Sequence, residues 1–164
     1  MTVALNGRTS AQAAIQISPT SFGAFFQTVG GNSLAIAQNV ASATDYPLNL
    51  PSSPAKPGQI VILWGTGLGP INGPDNLAPG ANAGDLRAPP VNLAVAITVG
   101  GQSLPAQNIL YAGRQAESAG VDNIYFTLLA NVAFGCNVPV AISVGGITAN
   151  TTTIAITADG APCR

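Results

Sequence analysis

Val138, Val140, Ile142 and Val144 fall on alternate positions, with Pro139, Ala141 and Ser143 between them. A period of two sends successive side chains to opposite faces of an extended chain, so this stretch predicts a strand with one apolar face. Gly145-Gly146 follows, and Ile154 and Ile156 resume the apolar face within Thr152–Thr157, which predicts a hairpin. The same device recurs where Val95, Ile97 and Val99 alternate with Ala94, Ala96 and Thr98 ahead of Gly100-Gly101. Short β-branched runs between turn residues place strands near Val3–Leu5, Ala13–Ile17, Ser33–Asn39, Gln59–Trp64, Ala94–Val99, Gln102–Tyr111, Asp122–Leu129, Val138–Val144 and Thr152–Thr157. Helical recurrence at i, i+3 and i+4 is missing from any long window, and 19 glycines and 13 prolines punctuate the chain too often for helices. Short strands at regular spacing between turns predict an all-β fold, a sandwich.

Residues 3–17, VALNGRTSAQAAIQI, resemble residues 141–156, AISVGGITANTTTIAI: a strand, a Gly-centred turn, a Thr after it, a small polar stretch and a second strand. Residues 1–18 are therefore expected to be the closing hairpin of a preceding module, or an edge or donor strand segment, with the sandwich domain over 19–164. Residues 70–92 form the longest loop, and Pro51 to Pro57 a second Pro-rich stretch.

Charge changes the picture more than length does. Only 7% of the 164 residues are charged and the net charge is −1, against an average of about 25% charged. Lys56 stands apart from the scattered Arg8, Arg87, Arg114 and Arg164. Neither a nucleic-acid partner nor a polybasic membrane patch fits that distribution. No apolar run approaches the roughly 18 residues of a membrane span, so membrane insertion is not expected. A surface of Asn, Gln, Ser, Thr and Gly suits an exported protein, and it also fits a surface covered by neighbours. Residues 1–17 lack the basic-then-apolar order of a signal peptide, and the chain reads as a piece of a longer one with any export signal upstream. The two cysteines, Cys136 and Cys163, cannot close a zinc site without histidine, of which there is none. They are read as a disulfide tying down the C-terminal tail, the alternative being two unpaired thiols.

Pro54-Ala55-Lys56-Pro57-Gly58-Gln59, the run Ile60–Trp64 and Gly65-Thr66-Gly67-Leu68-Gly69-Pro70 together resemble the repeated C-terminal domain of large secreted proteins of the acidobacterial type. Val99-Gly100-Gly101, Tyr111-Ala112-Gly113-Arg114, 119–124 (AGVDNI), Gly135–Val140 and Gly160-Ala161-Pro162-Cys163 add to the resemblance, which covers most of residues 19–163. It implies an immunoglobulin-like β-sandwich related to IPT/TIG domains, extracellular or at the cell surface, with no catalytic residues to carry over. Residues 127–133 depart from the pattern, lacking a Pro soon after the strand.

The Gly65–Gly69 cluster invites a phosphate-loop reading, but such a loop needs a helix N-terminus behind it, and Pro70 with a Pro/Gly loop follows instead. Its glycines are expected to serve a tight turn or close approach to a neighbouring strand. Nucleophilic catalysis lacks a histidine base, and Lys56 has no Ser partner and is hemmed by prolines. Asp75, Asn76 and Asp85 share the long loop with other oxygen donors, but without the spacing of a calcium loop, so no metal or cofactor is expected and the three remain loop contacts. Asp122 is expected to cap a turn or to pair with Arg114. Trp64 is expected in the core, and Phe22, Phe25 and Phe26 where two modules meet.

These readings converge on a non-catalytic structural or adhesive module of an extracellular protein. Its partners would be neighbouring modules or identical subunits, with a surface glycan or protein as a further contact, and Phe25 and Phe26 as interface residues. Two alternatives stand beside it. One is a self-assembling fibre subunit donating residues 2–18 to a neighbour's sheet, which pairing of that segment within its own chain would count against. The other is a carbohydrate-binding module, which burial of Trp64 and both strand tyrosines, Tyr111 and Tyr125, would remove.

Overall fold

The computed structural model describes residues 1–15, 17–74, 84, 86–88, 94–118 and 120–163. Asp75, Asn76 and Asp85 lie outside the described residues. β1 (Ala4–Leu5) and β2 (Arg8–Thr9) form a hairpin of their own. Then come β3 (Gly23–Ala24), β4 (Phe26–Val29), β5 (Asn32–Ala35), β6 (Ala37–Asn39), β7 (Ile60–Thr66), β8 (Val95–Val99) and β9 (Gln102–Ser103). A 3-10 turn at Ala106–Asn108 leads to β10 (Ile109–Arg114), β11 (Asp122–Thr127), β12 (Gly135–Val144), β13 (Ile147–Thr148) and β14 (Thr152–Ile156).

Two sheets pack face to face. One runs β10-β11-β7, with β3 and β6 side by side along the far edge of β7; the other runs β4-β5-β14-β12-β8-β9, with β13 on β12. Among the described strands pairing is antiparallel except where β14 meets β5, Thr153 opposite Leu34, and Ala55 adds an isolated parallel bridge to Ile156. Val61, Leu63, Ile124 and Phe126 of the first sheet and Ile97, Val99, Val140, Ile142, Val144, Ile154 and Ile156 of the second share one buried cluster, sealed by Leu68, Leu104, Leu128 and Val132. The all-β sandwich expected from the alternation is the fold.

Where expected strands fail, the chain is changing sheets. Ser33–Asn39 is not one strand: β5 belongs to the second sheet and β6 to the first, with the break at Ile36. Phe25 breaks β3 from β4 in the same way. The Ile36 amide donates to Phe25 O at 2.8 Å, Trp64 N donates to Ile36 O at 3.0 Å, and Phe25 N donates to Trp64 O at 2.8 Å. A two-stranded ribbon thus folds over the corner of the sandwich at Phe25 and Ile36, keeping its backbone groups paired as it crosses. Gln102–Tyr111 is likewise interrupted, because Pro105 supplies no ladder donor and opens the 3-10 turn that carries the chain from β9 to β10. Of the expected strand Ala13–Ile17, the described residues 13–15 and 17 are in no strand either. Ala13 N donates to Met1 O at 2.9 Å, and Met1, Val3, Leu5, Ile15 and Ile17 are exposed. Pairing of residues 1–13 with one another is what the strand-donation reading did not expect.

The glycines of Gly65-Thr66-Gly67-Leu68-Gly69 act as expected. Gly67 and Gly69 have φ of 92° and 108°, and a Cβ on either would meet the backbone carbonyl of Ser21 or Pro19. Asp122 secures this turn: its Oδ2 accepts from Leu68 N at 2.8 Å. Burial raises the Asp122 carboxyl above its usual range, while the Leu68 and Gly67 amides and then Arg114 pull it down. Asp122 and Arg114 are also register partners across β10 and β11.

The expected disulfide is not formed. Cys136 and Cys163 are both free and half-buried. The tail is held without it, by Cys163 N donating to Pro51 O at 2.7 Å, Thr157 Oγ1 to Ala161 O at 2.9 Å and Ala161 N to Asp159 Oδ1 at 3.0 Å. Burial, then hydrogen bonding to Cys136, pushes the Cys163 thiol up to about 11.

Candidate functional site

In β7, Val61 and Leu63 point into the core, so Ile60, Ile62 and Trp64 point out. Parity carries the same division across the sheet. Ile124 and Phe126 are buried inward on β11, which turns Asn123 and Tyr125 outward; on β10, Ala112 is inward and Tyr111 outward. The register then sets these side chains beside one another: Trp64 opposite Asn123, Ile62 opposite both Tyr125 and Gln38, and Tyr125 opposite Tyr111. Tyr46 reaches the same face from the loop after β6. The chain has one tryptophan and three tyrosines, and all four line this outer face.

Trp64 is therefore not a core residue. It is half-buried on the outside of the first sheet, and so are Tyr111 and Tyr125. The burial that would have removed a carbohydrate-binding reading does not occur. Phe22 enters the core, while Phe25 and Phe26 are 38% and 50% exposed at the sandwich corner, where Phe25 pairs with the Trp64 backbone.

The rings are fixed in place. Trp64 Nε1 donates to Gln38 Oε1 at 3.0 Å, Gln38 Nε2 donates to Tyr46 O at 3.0 Å, and Tyr46 OH donates to Ala43 O at 2.7 Å. Tyr111 OH donates to Arg114 O at 2.7 Å, its ring meets Tyr125 edge-on at 5.4 Å, and Arg87 lies 5.3 Å from its centroid. Burial, then the neighbouring Tyr125, pushes the Tyr111 phenol up to about 12; Tyr125 is raised by burial and then by Tyr46. Both hydroxyls are thus protonated donors across the neutral range. At Gly113 the segment 86–88 crosses close by: a Cβ there would strike the Leu86 carbonyl and sit 2.6 Å from the Tyr111 hydroxyl.

Between these rings runs a groove formed by two adjoining hollows of about 410 and 330 Å³, which share Leu110, Gln115, Asn123 and Tyr125. Among the described residues no carboxylate lines either of them. Asn123 sits at their junction, only 2% exposed, and its Nδ2 has no hydrogen-bond partner among the described residues. A buried amide donor without a partner costs free energy.

Among the described residues no three His, Cys, Asp or Glu side chains come together as a metal site, and Asp122 is committed to the Gly67–Leu68 turn. Of the residues expected from sequence, Phe25 and Phe26 lie at the corner beside this face, Cys136 lies at the start of β12 and Cys163 in the tail, and Asp75, Asn76 and Asp85 are outside the described residues. Gln38, Tyr46, Tyr111, Asn123 and Tyr125 were not singled out as a group; parity counted from Val61 and Leu63 was the signal that could have found them. The chain matches no protein-family model, no curated protein and no solved structure.

Proposed function

We propose that this chain is a non-catalytic adhesive module of an extracellular protein, and that it binds a neutral glycan through the outer face of the five-stranded sheet. The observation that carries this is the gathering of every Trp and Tyr of a charge-poor chain on one sheet face around the unpartnered Asn123 amide. A pyranose ring has an apolar C–H face that stacks on such rings and a rim of hydroxyls that pair with side-chain amides, the combination that binding grooves of this kind supply. The resemblance to secreted repeat domains of the immunoglobulin-like IPT/TIG type supports the extracellular setting.

The test passes the module, with its Trp64→Ala and Tyr125→Ala variants, over cellulose, chitin, peptidoglycan and a collagen-coated resin. Both rings lie outside the core cluster, so the variants should fold. Retention on a polysaccharide, weakened about tenfold or more in each variant, is expected, the size of loss a central aromatic contact produces. Retention on collagen alone, lost in the variants, would keep the adhesive reading and end the glycan assignment. Retention indifferent to both substitutions, or on none of the four, would end both.

The thiol pair belongs to the same setting. In an oxidising compartment a small-molecule disulfide such as glutathione disulfide would take up the two thiol hydrogens as two free thiols, leaving Cys136 and Cys163 bonded. The closed loop should then add about 3–4 kcal/mol by chain entropy. The thiolate is the attacking form, and Cys163 is pushed up to about 11, so bridging should quicken as pH rises toward that value. Thiol titration of the denatured protein checks it: two reactive thiols surviving long incubation with glutathione disulfide would refute the bridge.

A further inference from the structure

The hairpin at the start of the chain repeats the one near its end in geometry as well as in sequence. Each residue of 1–17 has a counterpart 139 positions later, Val3 in Ile142 and Leu5 in Val144. Ala4 pairs with Thr9 and Leu5 with Arg8, as Ser143 pairs with Thr148 and Val144 with Ile147. Both turns hold two residues at positive φ, 49° and 75° at Asn6-Gly7 and 56° and 80° at Gly145-Gly146, the two-residue turn whose twist suits a hairpin. Ser10 N donates to Val3 O at 2.9 Å, as Ala149 N donates to Ile142 O at 2.8 Å. Met1 and Ala13 exchange backbone hydrogen bonds, N to O in both directions, where Val140 and Thr152 are ladder partners.

What differs is the environment. Val140, Ile142, Val144, Ile154 and Ile156 are at most 2% exposed, whereas their counterparts Met1, Val3, Leu5, Ile15 and Ile17 are 58–83% exposed. The later copy closes its sandwich by lying between β8 and β5: residues 140–144 pair with β8, and Thr153 of β14 pairs with Leu34 of β5. The earlier copy keeps the apolar positions and the register but lies against neither sheet. A hairpin with five large apolar side chains on the positions that face a core, and no core against them, is a surface shaped for one.

We infer that residues 1–17 are the closing hairpin of a second sandwich of this same fold, fitting between that unit's counterparts of β8 and β5. The occupant of the exposed face is a unit equivalent to residues 18–139, so that modules of this type stand head to tail and each is completed by the hairpin that precedes the next module's Pro19. This reading is independent of what the aromatic face binds.

Fusing residues 18–139 directly in front of Met1 of the full chain puts Met1 where Val140 normally follows Pro139. Hydrogen exchange read by mass spectrometry should then show slow-exchanging amides in the added segment's counterparts of β7, β8 and β11, as in the original unit. Val3→Asp with Leu5→Asp should leave the melting of the single chain unchanged and should abolish protection in the added unit alone. An added segment that exchanges freely overturns the inference, as does an added unit indifferent to the double substitution.

Discussion

Replacing Gly67 with alanine is expected to cost roughly 3–5 kcal/mol, a large share of the 5–15 kcal/mol by which a domain is ordinarily stable. Two effects combine. The φ of 92° is strained for any residue with a Cβ, and that Cβ would collide with the Ser21 carbonyl carbon and oxygen. The carbonyl cannot simply retreat, because Ser21 N donates to Gly67 O at 2.9 Å and Thr20 Oγ1 to the same oxygen at 3.1 Å. Relief therefore breaks the pairing that holds residues 19–22 on the sandwich, and it disturbs the Leu68 amide that Asp122 binds. Gly58 is the control: its φ is 75°, but a Cβ there meets nothing within 4 Å, so Gly58→Ala should cost only about 1 kcal/mol of conformational strain. Urea unfolding of the two variants measures the difference. Equal losses would show that the turn does not depend on close backbone approach.

The second large effect is expected at Asn49. This residue is 1% exposed and serves β14 as a surrogate strand. Its Oδ1 accepts from Ala155 N at 2.7 Å, and its Nδ2 donates to Ala155 O and to Asn39 Oδ1, both at 2.9 Å. Asn49→Ala removes three hydrogen bonds and leaves the Ala155 amide, in a residue of 0% exposure, with no partner. At about 1 kcal/mol per bond, plus the penalty for an orphaned buried donor, the loss should be about 3–4 kcal/mol. Asn49→Asp should not rescue it, since a carboxylate cannot donate to the Ala155 and Asn39 oxygens. Denaturant titration gives the magnitude, and faster exchange of the Ala155 amide locates it. A loss under 1 kcal/mol would mean that this polar knot contributes little.

The fold was legible wherever one face of a strand is wet. Val138–Val144 and Ala94–Val99 alternate cleanly, and the turns at Gly100-Gly101 and Gly145-Gly146 are where those patterns place them. Legibility fails at the corners, since a β5–β6 ribbon that changes sheets at Ile36 keeps β propensity on both sides of the break. β3 and β4 were missed because Phe22-Gly23-Ala24-Phe25-Phe26 has no alternation, one ring being in the core and the next two outside it. The aromatic face was hidden for a related reason. Ile60-Val61-Ile62-Leu63-Trp64 is apolar throughout, and Ile62, though it points outward, is still only 5% exposed beneath its neighbours, so composition does not reveal which parity is inside. The closing register was visible only once Trp64 and Asn123 stood side by side.

Trp64 is the only tryptophan in the chain, so its fluorescence reports on the proposed binding face alone. Titration of the module with soluble cello- and chito-oligosaccharides should give a saturable change in that emission with at least one series, and Asn123→Ala or Tyr125→Ala should abolish it. Oligosaccharide binding detected by calorimetry while Trp64 emission stays unchanged would contradict the assignment of this face.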